Sequence, residues 1–600
     1  MMKKLRLTLI IAALSLVATA LLPINAQAAG HKSNAGTWTP ANTWYAAGSS
    51  AQFNTFAIAA GLDNAVGAGN PALCGEHHWT YTNGAQILDP RSTGNILPEK
   101  GNIWIVWDDN AQNQVVGKGT ICFFISIDSI VGNRVFFANG TVQLLVTDPT
   151  PPATVADAGI VPLLAVDPNG LPASIWGVVN GALLNVCMTD IRPEDAKFAT
   201  IRALTGPAGT RVPRTRYTGL GYGSGAPPTS GIGTPVYSSQ GTTGSHKQAN
   251  VVDFTISGPD PITLTGTPRP YTVLSVGASP VMVIVNVSNS SAGHLGDGNY
   301  TDINRYVLAN YLTGEYTHIR QMAHVTGEPD VPIHVWHREP ISGTYNTTEF
   351  TTVLTQEQYL TYNGPYAIGQ ETGVNPANTN CVTWPCTVNS GNPFYFTAAN
   401  GATRGRVIGT TEMVSTVNNI ADSLGYAFWG FSNFQGKANL KYLTVDGVDP
   451  LYSTPSGGIL PQCTLSGGTI GVGSCPVLTF PNIVNGGYQM WSVLRMVYDP
   501  TDPTVYALAM LHYAQAAAAV TLSDFVPAKT ALGATNLQVF RSHFNQIVVT
   551  SSSNDQAPNN GLKAGVPETG GDMGGQVLTN QSELDYITDT GGLQQTNLIE

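Results

Sequence analysis

Between residues 281 and 430 the chain alternates short apolar runs with stretches of helical periodicity, and this alternation narrows the possible folds more than any other feature. The apolar runs VMVIVN (281–286), VPIHVW (331–336) and LGYAFWG (424–430) have the length and β-branched content of buried strands. Ile303, Tyr306, Val307, Asn310 and Tyr311 recur at helical spacing, and Thr313-Gly314 closes that helix. A second helix opens at Ser342-Gly343-Thr344 and runs through Phe350 and Leu354, and a third, amphipathic, spans 411–423. Strands interleaved with helices predict an α/β arrangement with parallel strands. Upstream, NIWIVW (102–107) and TICFFIS (120–126) read as buried strands, and IWGVVNGALLNV (175–186) as a short helix despite two glycines. Residues 204–248 are dense in Gly, Pro, Thr and Ser and read as a long loop; residues 551–600 read as a loose polar tail.

The chain has 600 residues, enough for more than one core at about 100–200 residues per domain. A 42% hydrophobic content can fill those cores, which excludes disorder throughout. The formal charge of −11 argues against nucleic acid and anionic membrane surfaces as partners. At the start, Lys3, Lys4 and Arg6 precede an apolar run over 7–22, and Ala26-Gln27-Ala28 supplies a small-x-small cleavage pattern. Residues 1–28 therefore read as a signal peptide, with a mature chain beginning near Ala29 in the periplasm or outside the cell. No later run of about 18 apolar residues follows, so no membrane insertion is expected after the signal is removed. In an oxidising compartment Cys381 with Cys386, and Cys463 with Cys475, are local staples; Cys74, Cys122 and Cys187 leave at least one free thiol.

The segment PIHVWHREPISGTYNTTEF (332–350) carries the clearest chemistry. A strand delivers Arg338, and four residues later Ser342-Gly343-Thr344 starts a helix. Unpaired amides at a helix start, two hydroxyls, a glycine that permits close approach and a guanidinium together suit a tetrahedral oxyanion. The plainer reading is that Ser342 or Thr344 only caps the helix and Arg338 pairs with Glu339 or Glu349.

Arg338, Ser342, Gly343 and Thr344 match, at the same spacing, the second-lobe motif of the phosphate-binding receptors of ABC importers. The chain resembles that family, within the type II periplasmic binding proteins. LANYLTGEYTHI (308–319), TEMV (411–414) and LGY (424–426) are similar to further family segments in the same order. AGSSAQF (47–53) is similar to the family's opening loop, which makes Ser50 a hydroxyl donor and Ala51 a backbone donor. CMTDIRP (187–193) is similar to its acidic segment, which places Asp190 as the carboxylate that reads the ligand. An acceptor-only carboxylate takes a hydrogen bond from a protonated phosphate and meets sulfate with repulsion. Asp190 reads equally as a cap of the turn that follows it. Ser49, Gln52, Ser174 and Thr411 are weaker candidates.

The resemblance implies two α/β lobes with a hinge and an interlobe cleft, plus β-rich insertions around 54–170 and 197–270. Lobe one gathers 37–275 and 445–550, and lobe two 280–440. It further implies a monomeric receptor for phosphate or a similar oxyanion, with a membrane permease as partner, no cofactor and no enzymatic activity. The rival readings are a secreted phosphate-ester hydrolase and a surface or adhesive protein with a vestigial anion pocket. His77-His78 and His334-x-x-His337 lack an evident third ligand, so no metal is assigned from sequence.

Overall fold

The computed structural model describes residues 38–66, 69–88, 100–146, 167–191, 269–313, 316–323, 329–338, 342–348, 401–407, 409–462, 476–520, 523–528 and 537–541, with isolated short pieces between them. The signal-peptide reading, the 204–248 loop, the tail and the Cys381–Cys386 and Cys463–Cys475 staples lie outside the described residues.

In chain order the elements begin with β1 (Asn42–Ser49), α1 (Phe53–Gly61), β2 (His77–Leu88), β3 (Lys100–Trp107), α2 (Asp109–Gln112), β4 (Thr120–Ile127) and α3 (Ser129–Phe137). Next come β5 (Thr141–Leu144), α4 (Ala173–Val179), β6 (Val186–Thr189) and the long β7 (Thr272–Asn286). The second stretch holds β8 (Asp302–Ile303), α5 (Arg305–Thr313), β9 (His334–Arg338), α6 (Gly343–Thr348), β10 (Phe396–Thr397), β11 (Thr403–Val407), α7 (Gly409–Asn419) and β12 (Ser423–Phe428). The chain then forms α8 (Phe431–Phe434), β13 (Leu440–Val445), the hairpin β14 (Leu465–Ser466) and β15 (Thr469–Ile470), α9 (Pro481–Val484), β16 (Trp491–Tyr498), α10 (Ala507–Val520) and β17 (Val526–Pro527).

One sheet of 15 strands runs through the molecule, and β7 divides it into two halves. The first part of β7 pairs with β16, which continues through β6, β1 and β4 to β3, β2 and β5. From Val281 onward β7 pairs with β12 and β13 instead, and β12 leads to β9, β11 and β10. The two halves thus share one fully hydrogen-bonded strand. Within the first half, β4, β1 and β6 run parallel; within the second, β11, β9 and β12 do. This is the α/β architecture expected from the strand–helix alternation.

Burial explains the composition of these strands. Parallel strands covered on both faces carry near-continuous apolar sequence, and β4 (TICFFISI) has seven of its eight residues buried. Above β1, β3 and β4 the Trp44 ring stacks between Phe56 at 5.3 Å and Trp104 at 5.7 Å, with Phe124 edge-on. The apolar helix α10 closes over α1 on this half.

Three boundaries differ from the sequence expectation. β9 begins at His334 because the residues before it pair with the 317–319 segment instead: Ile319 N donates to the Val331 carbonyl and Ile333 N to the Thr317 carbonyl. The helix read over 175–186 stops at Val179, because Gly181 turns the backbone at φ +92° and the chain re-enters the sheet as β6. The third helix spans Gly409–Asn419 and ends before Asp422, whose φ of +57° starts β12.

A disulfide joins Cys74 to Cys122, a pairing the cysteine spacing did not indicate, while Cys187 stays free and buried. It links the segment after α1 to the first part of β4 across a separation of 48 residues. Cross-linking a loop of that size restricts the unfolded chain by about 4 kcal/mol. The Cys74→Ala/Cys122→Ala variant should lose most of that stability in urea unfolding; a loss below about 1 kcal/mol would contradict this account. Among the described residues no helix is long and apolar enough to cross a membrane.

Candidate functional site

Parallel neighbours bring their C-terminal ends to one edge of a sheet. In the first half, Ser49 lies beside Ile127, and Gly48 beside both Ser126 and Met188. The segments that follow β1, β4 and β6 therefore emerge together: Ser49–Gln52, Asp128–Ser129 and Asp190. Gly48, at φ +140°, sits so close to the Met188 carbonyl that a Cβ there would overlap it, which lets β1 and β6 approach. In the second half Arg338 lies beside Val407, so the segment after β9 and the start of α7 also emerge together.

The two sets of segments meet at Arg338, whose side chain is buried. Its Nη1 donates to Thr410 Oγ1 at 2.9 Å and to Thr344 Oγ1 at 3.2 Å, and its Nη2 donates to Asp128 Oδ1 at 2.9 Å. Asp128 belongs to the first half of the sheet and Arg338 to the second, so this ion pair crosses between them, with both side chains 3% exposed. A second polar link, Ser50 Oγ to Thr410 Oγ1 at 2.9 Å, crosses at the same place. The Arg338 backbone N–H donates to the Tyr426 hydroxyl, which fixes where the strand ends.

Asp190 completes the cluster. Its carboxylate lies directly against the α-carbon of Gly343, where a Cβ would collide with all three carboxylate atoms. Burial pushes its pKa up to about 6, against the lowering pull of Ser129, its own backbone and the guanidinium groups of Arg338 and Arg495. Ser129 is near enough to contribute to that pull, yet neither carboxylate oxygen has a hydrogen bond of normal geometry among the described residues. A nearby hydroxyl dipole lowers a carboxyl's pKa even without a well-directed bond. The backbone carbonyl of Asp190 accepts from Ser492 Oγ at 3.2 Å.

The residues singled out from sequence divide clearly. Ser50, Asp190, Arg338, Gly343 and Thr344 come together. Ser342 is buried beside them, but its Oγ accepts from the Tyr345 amide at 3.4 Å and so caps α6. Ser49 likewise accepts from the Ala51 amide at 3.4 Å, so Ala51 shares its donor with its own turn. Gln52 is buried and donates to the Arg495 carbonyl at 3.5 Å. Ser174 is not in the cluster. It bonds to the Gln112 carbonyl just past the end of β3, and β3 runs antiparallel to β4, which puts Ser174 at the opposite edge of the sheet. Thr411 is exposed and bonds to Asn433; its neighbour Thr410 turns inward instead.

Asp128, Ser129, Thr410 and Arg495 were missed. Asp128-Ser129 directly follows the buried strand TICFFISI, and Arg495 is a lone charge inside the apolar strand WSVLRMVY. Either anomaly was a readable signal, since a charge in a buried strand needs a partner. A further buried carboxylate, Asp524, also went unnoticed. It accepts from Thr55 N at 2.7 Å, Thr55 Oγ1 at 3.0 Å and Phe431 N at 2.9 Å, tying α1 to the start of α8.

No family model matches the chain, and no curated protein matches it. Among solved structures it is similar to an ABC-type phosphate transport receptor from Vibrio cholerae (14% identity, TM-score 0.21) and to PstS from Borrelia burgdorferi (14%, 0.23). Each alignment covers 40% of this chain and 65% of the other, so the chain spans less than two thirds of the length of those proteins. A high affinity periplasmic phosphate-binding protein, PfluDING, aligns over 82% of this chain and 96% of its own at 10% identity, with a TM-score of 0.28.

Proposed function

We propose that this chain is an exported solute receptor that encloses phosphate, or a closely similar tetrahedral oxyanion, between the two halves of its sheet. In this reading it is a binding protein rather than an enzyme, works as a monomer, and passes its ligand to an ABC-type permease. Ser50, Thr344, Thr410 and the Gly343 amide supply neutral donors, and Arg338 supplies charge. The observation that carries the reading is Asp190, a fully buried carboxylate without a well-formed hydrogen bond, pressed against Gly343 and within the field of Arg338. A carboxylate next to an anion's guanidinium is unfavourable unless the anion brings a proton. Phosphate retains one near neutral pH and sulfate does not.

Closure follows from the same contacts. Each half of the sheet contributes part of the donor set, so an anion between them stabilises the closed arrangement alone. Asp128 already occupies one face of the Arg338 guanidinium, and the ligand must share that group or displace the carboxylate.

The sign of the pH dependence is testable. Above pH 6 Asp190 is ionised, accepts a P–O–H proton and repels sulfate. Below pH 6 it is protonated and donates to an unprotonated oxygen, so the preference for phosphate should shrink. Calorimetry at pH 8 should show at least about a hundredfold preference for phosphate over sulfate, reduced at pH 5 and reduced at both pH values in Asp190→Asn. Equal affinity for the two anions at pH 8 would remove the role given to Asp190. Absence of binding by either anion would remove the receptor reading itself.

A further inference from the structure

Glu76, His77 and Asp109 stand at the edge of the sheet opposite to the Arg338 cluster. β2 begins at His77, which faces Trp107 at the end of β3, and Asp109 opens α2 two residues later. From sequence His77 lacked a third ligand. The antiparallel pairing of β2 with β3 supplies one from 32 residues away.

The imidazole is held on two sides. Trp107 stacks on it with ring centres 5.7 Å apart and planes 15° from parallel. Asp167 Oδ2 accepts a hydrogen bond from Nδ1 at 2.8 Å, and Asp167 is anchored in turn by the Asn169 amide, which donates at 2.8 Å to its other oxygen. A carboxylate on Nδ1 orients the ring as in histidine ligands of metal sites and leaves Nε2 as the ligand atom; without an ion Nε2 bonds to Asp109 Oδ1, and a cation would take the place of the proton between them. Nε2 lies 3.1 Å from Asp109 Oδ1 and 3.9 Å from Glu76 Oε1. Two ligands of a tetrahedral ion with bonds of about 2.1 Å stand about 3.4 Å apart, a value these two distances bracket. All three donor atoms fall within 4.8 Å of one another.

The supports are rigid. The Cys74–Cys122 disulfide lies two residues before Glu76, and Gly75 packs so tightly on the Trp107 carbonyl that no Cβ fits there. Asp108 caps α2 through the Ala111 amide at 2.7 Å and accepts from the Thr120 amide at 3.1 Å, which locates Asp109. The side chains of Glu76 and Asp109 are 58% and 69% exposed, so an ion can enter from solvent and keep water in its remaining positions.

We propose that Glu76, His77 and Asp109 bind a divalent transition-metal cation of the zinc class, with Asp167 as a positioning residue. One imidazole with two carboxylates and no thiolate suits zinc or manganese better than copper(I) or an iron–sulfur cluster. The ion would clamp the start of β2 to α2, apart from the anion site.

The test is a calorimetric titration of metal-stripped full-length protein with zinc chloride in phosphate-free buffer. The expected result is one saturable site that disappears in His77→Ala, weakens at least tenfold in Asp109→Asn, and weakens about 10- to 100-fold in Asp167→Asn. Glu76→Gln with Asp109→Asn changes only exposed groups and decides the matter if His77→Ala fails to fold. Phosphate affinity should be the same in all these variants. A zinc isotherm that is absent, or unaltered by the Glu76 and Asp109 changes, would show that His77 is only an ionic clamp between Asp167 and Asp109.

Discussion

Arg338→Ala should weaken oxyanion binding sharply and also destabilise the protein by about 3–5 kcal/mol, because it strands a buried Asp128 carboxylate without its partner. The two effects separate in a double variant. Arg338→Met with Asp128→Asn removes the charge pair together, keeps an acceptor and donor at position 128, and should recover most of the stability. Binding should not recover, since the guanidinium is the cation in hydrogen-bond contact with Thr344 and Thr410 at the centre of the cluster. Losing a buried charge-assisted contact to a ligand costs about 2–5 kcal/mol, a weakening of roughly 30- to 4,000-fold. Denaturant unfolding and phosphate calorimetry on the same preparations check both parts. Phosphate bound with unaltered affinity by the double variant would place the ligand elsewhere.

The second large effect is expected at Asp524, which bonds α1 and α8 rather than members of the Arg338 cluster. Asp524→Ala leaves Thr55 N, Thr55 Oγ1 and Phe431 N without their acceptor inside the protein. Stranding buried donors costs about 1–3 kcal/mol each, so a total loss of at least about 3 kcal/mol is expected. Burial pushes the Asp524 carboxyl up to about 6, from an ordinary value of 3.8, against the pull of the Phe431 amide, the Thr55 amide and hydroxyl, and the Asn54 amide. The folded state therefore holds this proton more tightly than the unfolded state does. Stability from this group is fully present below pH 4, falls as pH rises from about 4 to 6, and is level above that. Asp190 has the same sign. Asp524→Asn retains one acceptor oxygen and should lie between wild type and Asp524→Ala, with a shallower decline between pH 4 and 6. A steeper decline would mean that the carboxylate is favoured by its surroundings.

Much of this was legible in the sequence wherever a local pattern carried the information. The alternation over 281–430 indicated parallel strands, and the strand–Arg338–Ser-Gly-Thr order placed a guanidinium at a strand end beside a helix start. What could not be read was pairing at long range. Asp128 meets Arg338 across 210 residues, and Ser50 meets Thr410 across 360, contacts that exist only because the parallel strands in the two halves of the sheet end face to face. The sequence points to Thr411 and not to Thr410 because a helix start one or two residues off rotates every side chain by about 100° per residue. Ser174 failed for a topological reason: the sequence carries no mark that β3 is antiparallel. The Cys74–Cys122 bridge was hidden in the same way, since it depends on how α1 lies over β4.

An anomalous-scattering measurement with arsenate, which has the shape and protonation of phosphate, tests the enclosed-anion claim most directly. Crystals of the full chain grown with arsenate should show one arsenic peak between Asp190 and Arg338, within hydrogen-bond reach of Ser50, Thr344 and Thr410. A map without density there, with the Asp128 carboxylate still seated on Arg338 at saturating arsenate, would contradict the account.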